Sequence, residues 1–521
     1  MTYWTPLVVL VSSASKLAAG SPAVGEGVST ENVRSVDLCE VPQAPYARRW
    51  LALGVLALVQ FMLSIDSTVV NVALPSIQGD LGFQPAGLAW VMNAYSLTAG
   101  GFLLLGGRVS DLADRKRLFM IGVVLFAGAS LVSGVASNPG TLVVARFAQG
   151  LGVAVVSPAA LALAVLMFPD ARERARAIGM WGGLAGLGGT FGVVIGGVVT
   201  SAISWRWIFL INLPIAVVVL TASVRLVPRS PVERRARIEP WGAVLGTAAM
   251  TTLVYGLLNA SSHAWGGAAV LVPVVAGVVL LGAFIASQAL VRDPLLPLGF
   301  FRDRTRSAAN VAAILGMASF MTMFFVLTLY LQDFGHYSAL RSGLAYLPFG
   351  LAMLVGIYVS TNLLPRIGIK FGVAGAFLIG AAAMLSLGQI GGSLHYAQLV
   401  LPATLCYGFA QGVIFPALRY AALHGATPSE VGLAGGVQNT TLQLGGSLGL
   451  AVLVTVALRH AGALAAGGAN PQEATVDGYV LAFRIGAGVM LAAALLVLFF
   501  FEHVAAAARP GALGATRKET P

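Results

Sequence analysis

The sequence predicts an all-α integral membrane protein with fourteen transmembrane helices. Hydrophobic residues make up 57% of the 521 residues and charged residues only 10%. The apolar residues form fourteen continuous runs, and arginine and lysine crowd into every second connection between them. Lipid offers no water to backbone polar groups, so spans of about 20 continuous apolar residues indicate helices, whereas barrel strands alternate and need about 10.

Each predicted span is a run long enough to cross the hydrocarbon core of a bilayer. The longest outer connection is expected from Arg459 to Asp477, a stretch rich in alanine and glycine. In chain order, the spans are predicted at 51–74, 86–107, 118–136, 140–168, 175–200, 206–227, 240–260, 268–290, 308–332, 342–364, 370–390, 397–423, 432–458 and 480–502.

The basic residues predict the orientation of these spans. Connections after even-numbered spans are basic, and those after odd-numbered spans hold few basic residues, chiefly Arg206, Arg341 and Arg459. Basic loops stay in the cytoplasm, which predicts a multi-pass protein of the cell membrane with both termini cytoplasmic. The same distribution explains the net charge of +11 without a nucleic-acid partner. The excess of arginine over lysine, together with the many alanine, glycine and valine residues, is typical of a high-GC bacterium. The basic connections are Arg115 to Arg117, Arg172 to Arg176, Arg229 to Arg237, Arg302 to Arg306, and Arg366 with Lys370.

The chain repeats itself. Phe147-Ala148-Gln149-Gly150 recurs as Phe409-Ala410-Gln411-Gly412, and a glycine-rich run follows each copy, at 182–197 and 432–449. This pattern predicts two homologous six-helix halves with a substrate path between them. The predicted organisation is a disordered cytoplasmic tail (1–48), an N-terminal half (49–228), a two-helix insert with its flanking loops (229–306), a C-terminal half (307–503) and a cytoplasmic tail (504–521).

Asp66 is the first candidate for proton coupling, because it lies deep in an apolar span. A carboxylate there costs at least about 2.5–3.5 kcal/mol on insertion scales, and ionisable residues inside membranes are functional by default. Burial favours the neutral form of the carboxyl group, which predicts a residue that binds and releases a proton. The alternative is a structural acid satisfied by Ser67, Thr68 or Asn71.

Arg146, in the fourth span, is the second candidate for proton coupling. The repeat has Gly408 at the matching position, so only one half carries this charge. An arginine keeps its proton and therefore needs a counter-charge or a water-filled path. We expect it to respond to the protonation state of an acid in the first span. The alternative is a side chain that snorkels to an interface.

Two further segments indicate moving parts. The connection between spans 2 and 3 mixes charges with small residues, which suits a cytoplasmic gate, although an orienting anchor would need the same charges. The glycines of span 5 leave a smooth groove for another helix, which suits either rocking or static packing. The gating candidates are Gly107, Arg108, Asp111, Arg115 and Arg117, and the span-5 candidates are Gly188, Gly192, Gly196 and Gly197.

Polar and aromatic residues inside spans are candidates for a substrate cavity, although each is individually more typical of packing. They are Trp90, Asn93, Tyr95, Gln149, Trp181, Gln332, Asn362, Gln438, Asn439 and Gln443. The sequence holds no phosphate-binding loop, zinc motif or nucleotide fingerprint. Cys39 and Cys406 are too few for a metal site. We therefore expect a transporter without metal or cofactor rather than an enzyme.

Several of these segments together resemble the major facilitator superfamily, specifically its fourteen-span drug:proton antiporters. The run from Leu63 to Pro75 is similar to the span-1 signature, and residues 107–117 to the loop between spans 2 and 3. Residues 146–158 resemble the proton-coupling motif of span 4, 188–197 the antiporter motif of span 5, and 204–214 the entry to span 6. Two positions depart from the family pattern: Val193 stands where the antiporter motif has proline, and Asp114 where the loop has glycine.

The resemblance implies a major facilitator fold and proton-driven export of small lipophilic compounds such as drugs, antibiotics or metabolites. It also implies a monomer that works by alternating access, with protons and the lipid bilayer as its other partners. Three alternatives stay open: an importer of another solute on the same fold, a lipid flippase, and a membrane sensor that transports nothing.

Overall fold

The computed structural model describes residues 48–168, 170–228, 240–291, 294–364, 368–391, 395–424 and 431–502, and it leaves some side chains undescribed, mostly between 171 and 190. These described residues form helices and connections, with no strand among them. The predicted N-terminal tail apart from Arg48, the predicted C-terminal tail, and the basic connection from Arg229 to Arg237 lie outside them.

The helices follow the predicted spans in order. Thirteen in the described part are long and apolar enough to cross a membrane, and the remaining one, α5, has a shorter described apolar stretch at Phe191–Ala202. They are α1 Arg49–Leu81, α2 Pro85–Leu112, α3 Arg115–Gly134, α4 Pro139–Met167, α5 Ala171–Ala202, α6 Trp207–Leu226, α7 Pro240–Asn259, α8 Ala268–Leu290, α9 Arg304–Phe334, α10 Ala339–Asn362, α11 Ile369–Leu387, α12 Tyr396–Ala422, α13 Val431–Ala466 and α14 Pro471–Phe500.

We call α1–α6 the N-terminal bundle and α9–α14 the C-terminal bundle. The helices of the two bundles pack on one another in the same pattern. In the first, α1 packs on α5 and α6, and α4 packs on α2 and α3. In the second, α9 packs on α13 and α14, and α12 packs on α10 and α11. Helices eight apart in the order therefore make the same pairs, which agrees with the sequence repeat. The predicted domain boundaries themselves remain a prediction.

The two bundles meet along two seams, α2 against α13 and α5 against α10. The inserted helix α7 lies over the first seam, in contact with both α2 and α13. Helix α8 packs on α7, and only 11% of its apolar window is buried. The insert therefore covers one of the two seams from the outside.

Some helix ends differ from the predicted spans. Helix α13 continues to Ala466 and α14 begins at Pro471, so the predicted long connection from Arg459 to Asp477 is wrong and only a short turn remains. Alanine is the strongest helix former, and an alanine-rich segment extends the helix instead of forming a loop. Helix α2 likewise continues to Leu112, which places most of the predicted gating loop on its last turns.

Candidate functional site

An ion pair between α1 and α4 lies inside the N-terminal bundle. Arg146 Nη1 is 2.7 Å from Asp66 Oδ2, and the two side chains are 1% and 0% exposed. The guanidinium therefore does not snorkel to an interface. Breaking a buried pair by removing one partner costs about 3–5 kcal/mol, because the other charge stays buried and unpaired.

The second carboxylate oxygen of Asp66 accepts two amide hydrogen bonds. Gln149 Nε2 lies 3.1 Å from Oδ1 and Asn212 Nδ2 lies 3.0 Å from it. The neighbouring hydroxyls of Ser67 and Thr68 donate instead to the backbone carbonyl of Ser64, one turn earlier on the same helix. The carboxylate is thus satisfied across the bundle and not by its own helix.

Arg146 has further partners on α2 and α4. Its Nε donates to the Val91 carbonyl at 2.9 Å, and its Nη1 donates to Gln149 Oε1 at 2.9 Å. The Tyr95 ring centroid lies 4.3 Å from the guanidinium carbon, and Phe209 adds a second ring at 5.7 Å. Asp66 is the only negatively charged group among these partners.

Two serines of α3 complete the arrangement. Gln149 Nε2 donates to Ser130 Oγ at 2.7 Å, and Ser133 Oγ donates to Gln149 Oε1 at 3.4 Å. Asn212 Nδ2 also lies 3.4 Å from Ser130 Oγ. We call Asp66, Ser130, Ser133, Arg146, Gln149 and Asn212 the Asp66 network. It joins α1, α3, α4 and α6, and Arg146 extends it to the backbone of α2.

Sequence reasoning missed three members of this network: Asn212, Ser130 and Ser133. Helix α6 is interrupted at Ile211, between Trp207–Leu210 and Asn212–Leu226, so Asn212 begins its second part. The resemblance of residues 204–214 to the family's entry to span 6 was the only sequence signal for Asn212. The serines carry none, because serine is ordinary in membrane helices. Gln149, predicted for a substrate cavity, belongs to this network.

The glycines of α5 pack mainly on the helix that carries Asp66. A β-carbon at Gly188 would lie 2.8 Å from Ser64 Cβ, and one at Gly192 would lie 3.1 Å from Ile65 Cα. Gly196 faces Val69 in the same way. Gly197 instead faces the other bundle, where a β-carbon would lie 2.6 Å from the Ala339 carbonyl oxygen. Three of the four glycines thus contact α1, and one lies at the seam with α10.

The other cavity candidates are spread over several places. Asn93 is buried, and its Nδ2 has no hydrogen-bond partner among the described residues. Gln332 Nε2 donates to the Val72 carbonyl at 2.8 Å, across the bundles, and Asn439 Oδ1 accepts from Arg419 Nη2 at 3.0 Å. Trp90 lies beside Phe147 and Tyr255. The side chain of Trp181 is outside the described part.

The predicted gating residues lie on the last turns of α2 and the start of α3. Arg108 Nη2 lies 3.5 Å from the Pro294 carbonyl oxygen, and Arg115 Nε donates to the Ser110 carbonyl at 3.3 Å. Arg117 lies 3.6 Å from Asp114, whose other carboxylate oxygen caps α3 through the Lys116 amide. Asp114 is therefore a helix cap. A β-carbon added at Gly107 would lie 4.0 Å from Pro158 Cβ, which is ordinary contact. The side chain of Asp111 is outside the described part.

Comparison with protein families gives a match to the model of the Major Facilitator Superfamily over residues 56–450. The chain is similar to the puromycin resistance protein pur8 of Streptomyces alboniger, with 38% identity over 88% of this chain and 93% of that protein. It is also similar to the cephamycin export protein CmcT of Amycolatopsis lactamdurans, with 36% identity over 78% of this chain and 84% of that protein.

Among solved structures, the fold is similar to a bacterial homologue of the human lysosomal transporter Spinster. The TM-score is 0.62 with 15% sequence identity, and the match covers 87% of this chain and 97% of the other.

Proposed function

The chain belongs to the Major Facilitator Superfamily, and on that premise we propose that it exports small lipophilic antibiotics or related metabolites in exchange for protons. Relatives named for puromycin resistance, cephamycin export and lincomycin resistance support the export of antibiotics. The buried pair of Asp66 and Arg146 supports the coupling to protons, and it is the observation on which the proposal mainly rests.

Protonation of Asp66 would remove the one anionic partner that Arg146 has among the described residues. The guanidinium would keep the Val91 carbonyl, Gln149 and the Tyr95 ring, but its charge would be buried without compensation. A buried unpaired charge is costly, so the protonated bundle favours any arrangement that brings water or another anion to Arg146. Proton binding would thus supply free energy for a change of conformation.

Two helices are placed to transmit such a change to the seams. Helix α1 carries Asp66 and packs on α5, whose Gly197 contacts α10. Helix α2 offers Val91 to Arg146 and, further along, accepts a hydrogen bond from Thr440 Oγ1 of α13 at the Gly100 carbonyl, at 3.0 Å. A shift of either helix would therefore act directly on contacts between the bundles.

The proposed cycle is alternating access. Substrate binds from the cytoplasm while Asp66 is ionised and paired, the bundles rock, substrate leaves, and a proton from outside resets the site. The basic even-numbered connections support cytoplasmic termini in the cell membrane. We propose a monomer, because both seams and the whole Asp66 network lie within one chain.

The test is gradient-driven uptake into inside-out vesicles with an acidic lumen, using puromycin, lincomycin and a panel of lipophilic cations. Wild type is compared with Asp66→Asn, and Asp80→Asn is the matched control. Asp80 is an acid on the same helix, but it pairs with Arg206 at the helix end and is 46% exposed.

We expect uptake in wild type and in Asp80→Asn, and none above background in Asp66→Asn. Uptake that persists in Asp66→Asn would move proton coupling to another residue. Uptake in wild type that ignores the gradient would refute antiport.

A further inference from the structure

Arg419 is an exposed, positively charged residue on the last turn of α12, and α13 holds its guanidinium group. Its Nη2 donates to Asn439 Oδ1 at 3.0 Å. Among the described residues, this neutral amide oxygen is the one polar partner of the guanidinium, and no described carboxylate forms an ion pair with it. The charge of Arg419 is therefore not neutralised within the described part of the chain.

The side chain of Arg419 points away from the nearer end of its helix. Helix α12 ends at Ala422, on the side predicted to be cytoplasmic, and helical side chains lean toward the start of their helix. The next residue after its partner Asn439 is Thr440, which donates to the Gly100 carbonyl of α2. Gly100 lies about 18 Å before the end of α2 at the helical rise per residue. The guanidinium is thus held within the membrane-spanning region and does not snorkel to the surface.

Asn439 faces the space between the two bundles. At about 100° per residue, it lies about 40° from Gln443, which packs on α2, and about 20° from Gly446, which packs on α9. Thr455, which bonds α7 on the outside of the seam, lies about 160° away. One turn before Asn439, a β-carbon at Gly435 would meet nothing within 4 Å. The exposed guanidinium beside Asn439 therefore faces the interior of the transporter and not the lipid.

An apolar wall adjoins Arg419. Phe415, one turn earlier on α12, lies edge-on to Phe320 of α9, with ring centroids 5.5 Å apart. Met317 and Met321 of α9 pack on α13 beside them. All four side chains are only half-buried, and aromatic and thioether groups adapt to apolar bodies of varied shape. The interior surface here combines one permanent positive charge with an adaptable apolar wall.

The helices around Arg419 carry almost no negative charge. Helices α9 to α13 contain a single acidic residue, Asp333, in the last turn of α9 on the side predicted to face away from the cytoplasm. An arginine cannot release its proton, so a charge held at this depth attracts an anion and repels a cation. The planar guanidinium also matches the two oxygens of a carboxylate.

We propose that Arg419 recognises the acidic group of the exported compound, while Phe320 and Phe415 contact its apolar body. The inference rests on the proposed function, which it narrows to amphipathic compounds that carry a carboxylate or a similar anion. Asn439 is a positioning residue, because its amide oxygen keeps the guanidinium turned toward the interior.

The experiment compares two fluorescent probes with the same ring system, the anion dansylglycine and the neutral dansylglycinamide. Fluorescence anisotropy follows their binding to the full-length chain in lipid nanodiscs, and empty nanodiscs give the background. Wild type is compared with Arg419→Gln, and Arg225→Gln is the matched control. Arg225 is likewise exposed on the last turn of its helix, but that helix, α6, packs within the N-terminal bundle.

We expect wild type and Arg225→Gln to bind dansylglycine about tenfold more tightly than dansylglycinamide, and Arg419→Gln to bind the two probes equally. Dansylglycinamide should bind all three chains alike, which verifies that Arg419→Gln is folded. Absence of dansylglycine binding to wild type would overturn the site, as would an anion preference that persists in Arg419→Gln.

A second variant tests the apolar wall. Phe415→Ala should weaken the binding of both probes by about tenfold, because it removes apolar contact and leaves the charge in place. Unchanged binding of both probes would refute the contact with Phe415. Binding is measured without a proton gradient, so a wild type that binds dansylglycine through Arg419 but shows no gradient-driven uptake would refute the proposed export and leave this site standing.

Discussion

Gly408 stands in α12 at the position that Arg146 holds in α4, each directly before a Phe-Ala-Gln-Gly run. Arg146 Nε reaches the Val91 carbonyl of α2 at 2.9 Å. At Gly408 the helices themselves meet, since a β-carbon there would lie 2.2 Å from the Phe349 carbonyl oxygen of α10. The same helix pair is thus bridged by a charged side chain in one bundle and by backbone contact in the other. This difference confines the ionic site to the N-terminal bundle.

Gly408→Ala should destabilise the C-terminal bundle, because the added methyl group needs α10 and α12 to separate. Overpacking of this kind costs about 1–3 kcal/mol. Thermal unfolding in detergent measures it, with Gly435→Ala as control because nothing lies within 4 Å of a β-carbon there. Equal stability of the two variants would contradict the close contact with Phe349.

Gln149→Leu should lower gradient-driven export about tenfold, because it leaves Asp66, Arg146 and Ser130 each short of a buried hydrogen bond. Its repeat counterpart Gln411 donates to the Tyr407 hydroxyl at 3.1 Å, and its Oε1 has no partner in the described part of the chain. Gln411→Leu should therefore leave export nearly unchanged. Uptake into inside-out vesicles compares the two, and equal losses would argue for a general packing role of both glutamines.

The sequence predicts those features of the fold and of the site that are encoded within a single helix. Helix number and order follow from the lengths of apolar runs. Asp66 and Arg146 stand out because charge is rare and costly in lipid. The amide and hydroxyl partners Asn212 and Ser130 do not stand out, because neutral polar residues occur throughout membrane helices. Their place beside Asp66 depends on how α3 and α6 pack, which no single helix encodes.

The end of α13 illustrates the same limit. Residues 459–466 resemble a flexible connection by their alanine and glycine content, yet they continue the helix. Arg459 within this segment donates to two carbonyl groups at the end of α7. Arg459 is one of the few basic residues on the side of the membrane predicted to face away from the cytoplasm. Its contact with the end of α7, which is distant in the sequence, explains the charge there.

Combining substitutions at Asp66 and Arg146 should restore stability without restoring transport. Arg146→Leu alone leaves the buried Asp66 without its cation, which should cost about 3–5 kcal/mol of folding free energy. Adding Asp66→Asn removes the unpaired charge and should recover most of that loss, whereas proton-driven export should stay absent. Unfolding of the single and double variants in detergent gives the coupling energy. A double variant no more stable than Arg146→Leu would refute the ion pair as the source of the cost.

Contacts across the α5–α10 seam should decide which end of the transporter is closed. Gly343 allows this approach, because a β-carbon there would lie 2.8 Å from the Val193 carbonyl oxygen, and the Leu340 amide donates to Ser201 Oγ at 2.9 Å nearby. Gly343→Val should therefore push the bundles apart at this end and favour the arrangement that opens it.

The measurement is maleimide labelling of Val72→Cys, in a background with Cys39→Ser and Cys406→Ser. Val72 is fully buried on α1, and its carbonyl accepts the bond from Gln332 of the other bundle. Gly343→Val should raise its labelling rate about tenfold, a shift of the conformational equilibrium by about 1.4 kcal/mol. Gly189→Val is the matched control, since nothing lies within 4 Å of a β-carbon there. Labelling that is equally slow in both variants would mean that this seam does not control the opening of this end.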